Sequence, residues 1–526
     1  MRSLTRAQPT SAIEQPDESL FGVCPANKMI QSETMTTLAF DNSYAHLPAR
    51  LYSHTEPTPV AEPGLIRINT ALAKELGIDP DWLGSQAGIA VLAGNAIPAG
   101  AEPIATAYAG HQFGGWNPQL GDGRAVLLGE IIDPGGQRFD FQLKGSGPTP
   151  WSRGGDGRSP IGPVLREYVV SEAMAVLGVP TTRALAAVTT GEQVYRDQAM
   201  PGAILARIAS SHIRIGTFQF FAARKDTEAL ELLVEQVINR HYPDAADSET
   251  PALAMLEAAI AAQASLVARW QLLGFIHGVM NTDNMLLSGE TVDYGPCAFI
   301  DNFHPDTVFS SIDQNGRYAY RNQPAIAHWN LANLAQSLVP LLHTDQEIAV
   351  QLAQTTVDGF PQLFMQRHIE GMNQKLGLED IVDGDEALAQ DLLTVMTDDN
   401  ADFTLSFRYL SEACADRPAA GQSIEDLYSP SPALLQWMER WRERLARNSR
   451  DIQNSQTVMY TQNPAFIPRN HLVEEVIQAA TRDQDLAPFH QLVDVLGKPF
   501  DYTDKLARYA TPPQPDQVVK QTFCGT

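Results

Sequence analysis

The stretch HGVMNTDNMLLSGETVDYG, residues 277–295, limits what this chain can fold into more than any other feature. It follows PALAMLEAAIAAQASLVARWQLLG, whose apolar residues run round most of a helical surface, so a long buried helix is predicted to deliver the chain into a polar loop. Within that loop Asn284 and Asp293 bracket MLLSGETV, which reads as a short hairpin with its ends close together. An amide and a carboxylate facing one point supply oxygen ligands, the donor type that magnesium or manganese prefers. Either residue alone serves equally well as a turn residue. Their spacing, the helix before them and a lysine upstream favour the metal.

Phosphoryl-transfer enzymes of the kinase kind hold their cation with an Asn ending the catalytic loop and an Asp opening a D-F-G-like turn. Asp293-Tyr294-Gly295 fits that turn. One part is missing. The aspartate that accepts the substrate's proton belongs five residues before the Asn, and here that position is Val279, in His277-Gly278-Val279. Valine accepts no proton. Either the protein performs no chemistry or another carboxylate has taken the role, and Asp283 is the nearest replacement. Capping a local amide is its plainer use.

Upstream, the strand-like runs AVLLGEII and FDFQLKG flank the turn signal DPGGQ and predict a hairpin that ends on Lys144. The helix PVLREYVVSEAMAVLG comes next, with Pro163 near its start and Gly178 past its end. Glu167 stands 23 positions after Lys144 and is preferred over Glu172 as its ion-pair partner. The segment QLGDGRA, with Gly121, Gly123 and Arg124, occupies the place of a phosphate-covering loop without its full glycine pattern. Asp156-Gly157 in WSRGGDGRSP offers backbone N–H groups to an anion. Arg207 and Arg214 add guanidinium forks that match phosphate oxygens. Each of these has an ordinary alternative as a turn or surface residue. RALAAVTTGEQVYRD predicts a second hairpin, turning at Thr190-Gly191, and LIRINTALAKELG carries a helical pattern.

Past Lys225 helices dominate: HWNLANLAQSLVPLL, EIAVQLAQTTVDGF, SPALLQWMERWRERLA and NHLVEEVIQAA. Strands with one helix, then a helical half, is the order of an α+β, bilobal, protein-kinase-like fold. Residues 1–34 read as a disordered extension, 35–225 as a β-rich N-lobe with one key helix, 226–510 as a larger helical C-lobe, and 511–526 as a tail carrying Cys524. A formal net charge of -25 argues against a nucleic-acid backbone as partner. No run approaches the ~18–20 uninterrupted apolar residues expected of a membrane span. The N-terminus lacks the apolar core of a secretory signal. The four cysteines, Cys24, Cys297, Cys414 and Cys524, show no CxxC spacing, which argues against zinc and fits a reducing, cytoplasmic setting.

Taken together, AYAGHQFGGWNPQLGDGRA, QLKGSGPTPWSRGGDGRSP, LREYVVSEAM, LGVPTTRAL, GVMNTDNM, DYGP, YRNQPAIAHWNLANLA and NPAFIPRNHLVE are similar to the signatures of the selenoprotein O family, from about residue 40 to the C-terminus. That resemblance implies a pseudokinase that holds ATP in reversed orientation and transfers AMP to Ser, Thr or Tyr hydroxyls of proteins. It implies that Lys144, Asp156, Gly157, Arg207 and Arg214 grip the phosphates, with Gly121, Gly123 and Arg124 as further nucleotide contacts. Glu167 would orient Lys144, Asn284 and Asp293 would hold Mg2+ or Mn2+, with Asp293 also meeting the nucleotide, and Asp283 would accept the proton. Family members carry a C-terminal selenocysteine or cysteine, so Cys524 is expected to form a redox pair with Cys297. UMP transfer from UTP, phosphotransfer and non-catalytic nucleotide binding are the competing functions.

Overall fold

Alternation along two strands places the chemistry of this protein. The computed structural model describes residues 38–415, 424–428 and 431–523, so the expected extension 1–34 and both Cys24 and Cys524 lie outside the described residues. Ala125–Ile132 and Arg138–Lys144 form the predicted antiparallel hairpin. Arg138–Lys144 also pairs with Ala199–Ala209, Arg207 lying opposite Gln142. Side chains alternate across a strand. Phe141, Leu143, Ile204 and Ile208 therefore pack on one face against Leu72, Leu83 and Leu92. Gln142, Lys144 and Arg207 point to the other face, toward Glu167.

The whole sheet has eight antiparallel strands. Its order is Tyr52–His54, Ile104–Thr106, Ala125–Ile132, Arg138–Lys144, Ala199–Ala209, Arg183–Tyr195 and Gly64–Ile68, with Ser159–Pro160 pairing to Ala199–Ala209. The helix Ile161–Val176 lies on the Lys144 face, where Leu165, Tyr168 and Val169 pack with Phe489 and Leu492 of the helix Ala487–Leu496.

Three local expectations are corrected. Thr190-Gly191 is not a turn: Arg183–Tyr195 is one strand, and the chain reverses at 196–198. Gly191 instead sits in a register shift of that ladder with φ 71°. A bulge and a turn share the same glycine signal. LIRI is an edge strand, Gly64–Ile68, and only Thr70–Glu75 is helical, its start capped by the Asn69 side chain accepting from Leu72 N–H. MLLSGETV is not a hairpin either. Leu286 bridges to Arg214 and Thr291 to Thr181, so remote segments pair its two ends.

The long helix forms as expected, Pro251–Leu273, with Pro251 in its first turn and Gly274 (φ 68°) closing it in the left-handed conformation. A Cβ on Gly274 would meet the Phe403 ring at 2.8 Å. By length and composition this helix is apolar enough to cross a membrane, which corrects the expectation that no segment is. It is nonetheless a core element: Leu256, Ile260, Val267 and Trp270 are buried with Leu331 and Leu334 of the helix Gln323–Leu342. Each such side chain contributes about 1.5–3 kcal/mol of burial. Gln346–Asp358, Pro432–Leu445 and Asn470–Gln478 complete the predicted helices, and Trp437 and Trp441 anchor the C-terminal cluster.

Candidate active site

The face of the sheet carrying Lys144 forms one wall of a cleft of about 620 Å³, and the loop 279–295 forms the opposite wall. Gly121, Gly123, Arg124, Lys144, Asp156, Gly157, Glu167, Arg207, Arg214, Asp283, Asn284 and Asp293 all line it, as does Val279. Residues up to 172 positions apart in sequence, Gly121 and Asp293, meet in one hollow.

Lys144 Nζ donates to Glu167 Oε2 at 2.6 Å and to Asp293 Oδ1 at 2.6 Å. Glu172, the rejected partner, binds Arg183 at 2.9 Å and caps Ala184 N–H. Arg207 Nη1 donates to Glu167 at 3.0 Å and to Asp293 Oδ1 at 2.7 Å, while its other donors are held by Gln142 Oε1. Arg214 Nη1 donates to Asp293 Oδ2 at 2.9 Å and to the Asp283 backbone oxygen at 2.5 Å, with the Tyr108 ring 4.7 Å from its guanidinium. Three cations thus converge on one carboxylate. Burial opposes ionisation of Asp293, but Lys144, Arg207 and Arg214 outweigh it and hold the carboxyl well below the usual range. Asp293 has φ 60°, a left-handed conformation uncommon outside glycine, and its turn is closed by Gly295 N–H donating to Asp293 O.

Asn284 donates its amide N–H to Val279 O at 3.0 Å, and its side-chain oxygen accepts nothing from the described residues. Together with Asp293 it offers two oxygen donors. Among the described residues no group of three or more His, Cys, Asp or Glu side chains is gathered for a metal. A hard divalent cation fits such a pair when phosphate oxygens and water complete its shell.

Asp283 is buried, one carboxylate oxygen accepting from Gln112 Nε2 at 3.3 Å while Oδ1 has no partner among the described residues. Burial pushes its pKa up to about 6 against the opposing pull of Arg214. Gly110 makes room for it, since a Cβ there would stand 2.4 Å from Asp283 Oδ1. Asp156 is held at the rim by Arg196, which donates to both carboxylate oxygens at 2.8 and 2.9 Å. Gly157 (φ 66°) backs onto Gly147 so closely that a Cβ would lie 2.0 Å from its carbonyl oxygen.

Sequence reasoning missed Gln112, Gln142 and Arg196. Nothing in HQFGG, FDFQLKG or VYRD separates them from ordinary strand and turn residues. The redox pair is only half in view. Cys297 is buried beside Arg166 and Thr522. Thr522 donates to Pro296 O at 2.7 Å and its N–H to Phe309 O, while Arg166 donates to both Gly295 O and Phe523 O. The C-terminal segment is thereby clasped to the turn that follows Asp293.

Three cations, the side-chain oxygens of Asn284 and Asp293 and the raised-pKa Asp283 share this cleft, and the relatives of the chain make it a nucleotidyltransferase. The chain belongs to the family described as protein adenylyltransferase SelO, whose model matches residues 34–497. It is 57% identical over 487 residues to the protein nucleotidyltransferase YdiU of Rhodopseudomonas palustris (strain BisB5), covering 93% of this chain and 99% of that protein. Its identity to the protein of the same name from Rhizobium meliloti (strain 1021) is 55% over 492 residues, covering 94% and 100%.

Proposed function

We propose that this enzyme transfers AMP from ATP to Ser, Thr or Tyr hydroxyls of other proteins, within a bilobal kinase-like arrangement divided near residue 225. The observation that carries this reading is the convergence of Lys144, Arg207 and Arg214 on Asp293 inside the cleft, with Arg214 also held by the Asp283 backbone oxygen. Arg207 and Arg214 are each only 2% exposed, so the phosphates they attract lie innermost and the nucleoside outermost. That depth supports the reversed orientation of ATP, with the α-phosphate facing the acceptor.

In the reaction, Asp283 accepts the acceptor hydroxyl's proton as the oxygen bonds to the α-phosphorus. The bond from that phosphorus to the α,β-bridging oxygen breaks, and pyrophosphate leaves with its charge met by Lys144, Arg207 and Arg214. Glu167 and Gln142 keep Lys144 and Arg207 aimed at the cleft. Arg124 and the Asp156-Gly157 loop steady the nucleotide at the rim, beside the Gly121 and Gly123 backbone. Asn284 and Asp293 hold Mg2+ or Mn2+, which supplies charge neutralisation along the polyphosphate. Val279, in the kinase base position, lines the cleft with nothing to accept a proton. The cysteine composition supports a cytoplasmic setting, and Cys297 with Cys524 remains our proposed redox pair, with the clasped tail as its support.

The test uses ATP labelled at the α- or the γ-phosphate, with metal and a cell extract as acceptor. Covalent α-label on protein, lost in Asp293→Ala, supports the reading. γ-label means phosphotransfer, and no label with either means binding alone. Substituting α-labelled UTP separates AMP from UMP transfer.

A further inference from the structure

Beside Asp283 lies an aromatic cluster that the transfer chemistry leaves unused. Gly110–Gln112 and Gly115–Asn117 form a small hairpin, turning through Phe113 (φ 52°) and Gly114 (φ 85°). Three hydrogen bonds tie it to the loop that carries the base. His111 N–H donates to Thr282 Oγ1 at 2.7 Å, Phe113 N–H to Asn281 Oδ1 at 3.0 Å, and Gln112 Nε2 to Asp283. The hairpin cannot shift without shifting Asp283.

On its outer side the His111 ring stands 4.9 Å from Trp116 and 5.1 Å from Trp329. The Arg317 guanidinium lies 4.9 Å over the Trp329 ring. Trp116 is 43% exposed and Trp329 36%, so two indoles and a cation share an open surface next to the reacting centre. Tryptophan and arginine are the residues that most often dominate protein interfaces. Among the described residues the Arg317 guanidinium has no salt bridge: it is half-buried with its Nε enclosed, lies 5.8 Å from the Tyr318 ring as well, and leaves Asp313 to accept from the Arg317 backbone N–H.

We propose that this shelf seats the acceptor protein, gripping a segment whose hydroxyl-bearing residue is flanked by an acidic side chain that pairs with Arg317. The proposal rests on the transfer reading above. A hydroxyl must come within hydrogen-bond reach of Asp283, and a folded or extended polypeptide that delivers it has to rest on the rim nearest that carboxylate. The shelf continues outward from Gln112 and Phe113, which line the cleft and of which Gln112 meets Asp283. With a net charge of -25 the enzyme repels acidic proteins at long range, so the preference is a contact effect, exerted within the ~8 Å over which charges act at physiological salt.

The experiment compares defined peptides with a central Ser, Thr or Tyr flanked by Glu or by Lys, together with a cell extract, all with α-labelled ATP. Wild-type enzyme is expected to label Glu-flanked peptides about tenfold faster than Lys-flanked ones, and Arg317→Glu to reverse the order. Trp116→Ala and Trp329→Ala should raise the peptide KM about tenfold while ATP affinity stays at the wild-type value. Unchanged labelling of peptides and extract by all three variants, or an equal loss of ATP affinity, overturns the shelf alone. No α-label from wild-type enzyme on peptides or extract overturns the transfer reading, and the shelf falls with it.

Discussion

Lys144 Nζ and Asp293 Oδ1 stand 2.6 Å apart, so the lysine of the sheet and the proposed metal ligand of the loop begin as an ion pair. Arg207 and Arg214 reach the same carboxylate at 2.7 and 2.9 Å. A divalent cation arriving alone must compete with three positive groups. A polyphosphate offers those groups new partners and releases Asp293. Metal and nucleotide should therefore favour each other's binding. Titrating Mn2+ by its EPR signal should show binding about tenfold or more tighter with a nonhydrolysable ATP analogue present, and the reciprocal gain for the analogue. Equal Mn2+ affinity with and without the analogue would count against this exchange.

Activity should follow the ionisation of Asp283, whose pKa burial raises to about 6. As the proposed proton acceptor it works only when deprotonated. The rate of transfer is expected to fall about tenfold per pH unit below 6 and to level off above it. Stability runs the other way. The folded pKa exceeds the ordinary carboxylate value, so this group's stabilising contribution is complete below about pH 4 and lost as pH rises through 6. Asp283→Asn should abolish transfer yet raise the melting temperature at pH 8, by no more than the ~3 kcal/mol that a two-unit shift represents. At pH 4 the two proteins should melt together.

Gly110→Ala pushes a methyl group toward Asp283 Oδ1, where an ideal Cβ would stand 2.4 Å away. The proposed base must move, and a displacement near 1 Å costs about a hundredfold in rate. We expect kcat to drop by that order while the ATP dissociation constant holds. Single-turnover labelling and equilibrium nucleotide binding, measured on the same preparation, decide it.

Arg207→Met removes a guanidinium that is 2% exposed and leaves Glu167 without one of its two cations. Glu167 keeps Lys144 at 2.6 Å, so the cost stays below the about 3–5 kcal/mol of a fully stranded buried charge, and a moderate fall in melting temperature is expected. The double variant Arg207→Met/Glu167→Gln should regain much of that stability and none of the transfer. Recovery of both would mean that the pair serves the fold alone.

Contacts that lie at a fixed offset were readable in the sequence. Lys144 ends a strand and Glu167 stands two turns into the following helix, so their meeting follows from element geometry. Gln112 and Asp283 are separated by 171 positions and meet only because the small hairpin packs on the loop, which no local pattern encodes. The hairpin expected in MLLSGETV failed for the same reason, because Leu286 and Thr291 found partners at Arg214 and Thr181. Gly191 misled differently, its left-handed φ serving a bulge where a turn was expected.

Thr522 and Arg166 fasten the end of the chain beside Gly295 and Pro296, two and three residues past Asp293. A pull on residues 522–523, from a surface tether, a bulky fusion or a bead-bound affinity handle, is therefore passed mechanically to the turn that follows Asp293. Immobilised assays of this enzyme should be anchored elsewhere.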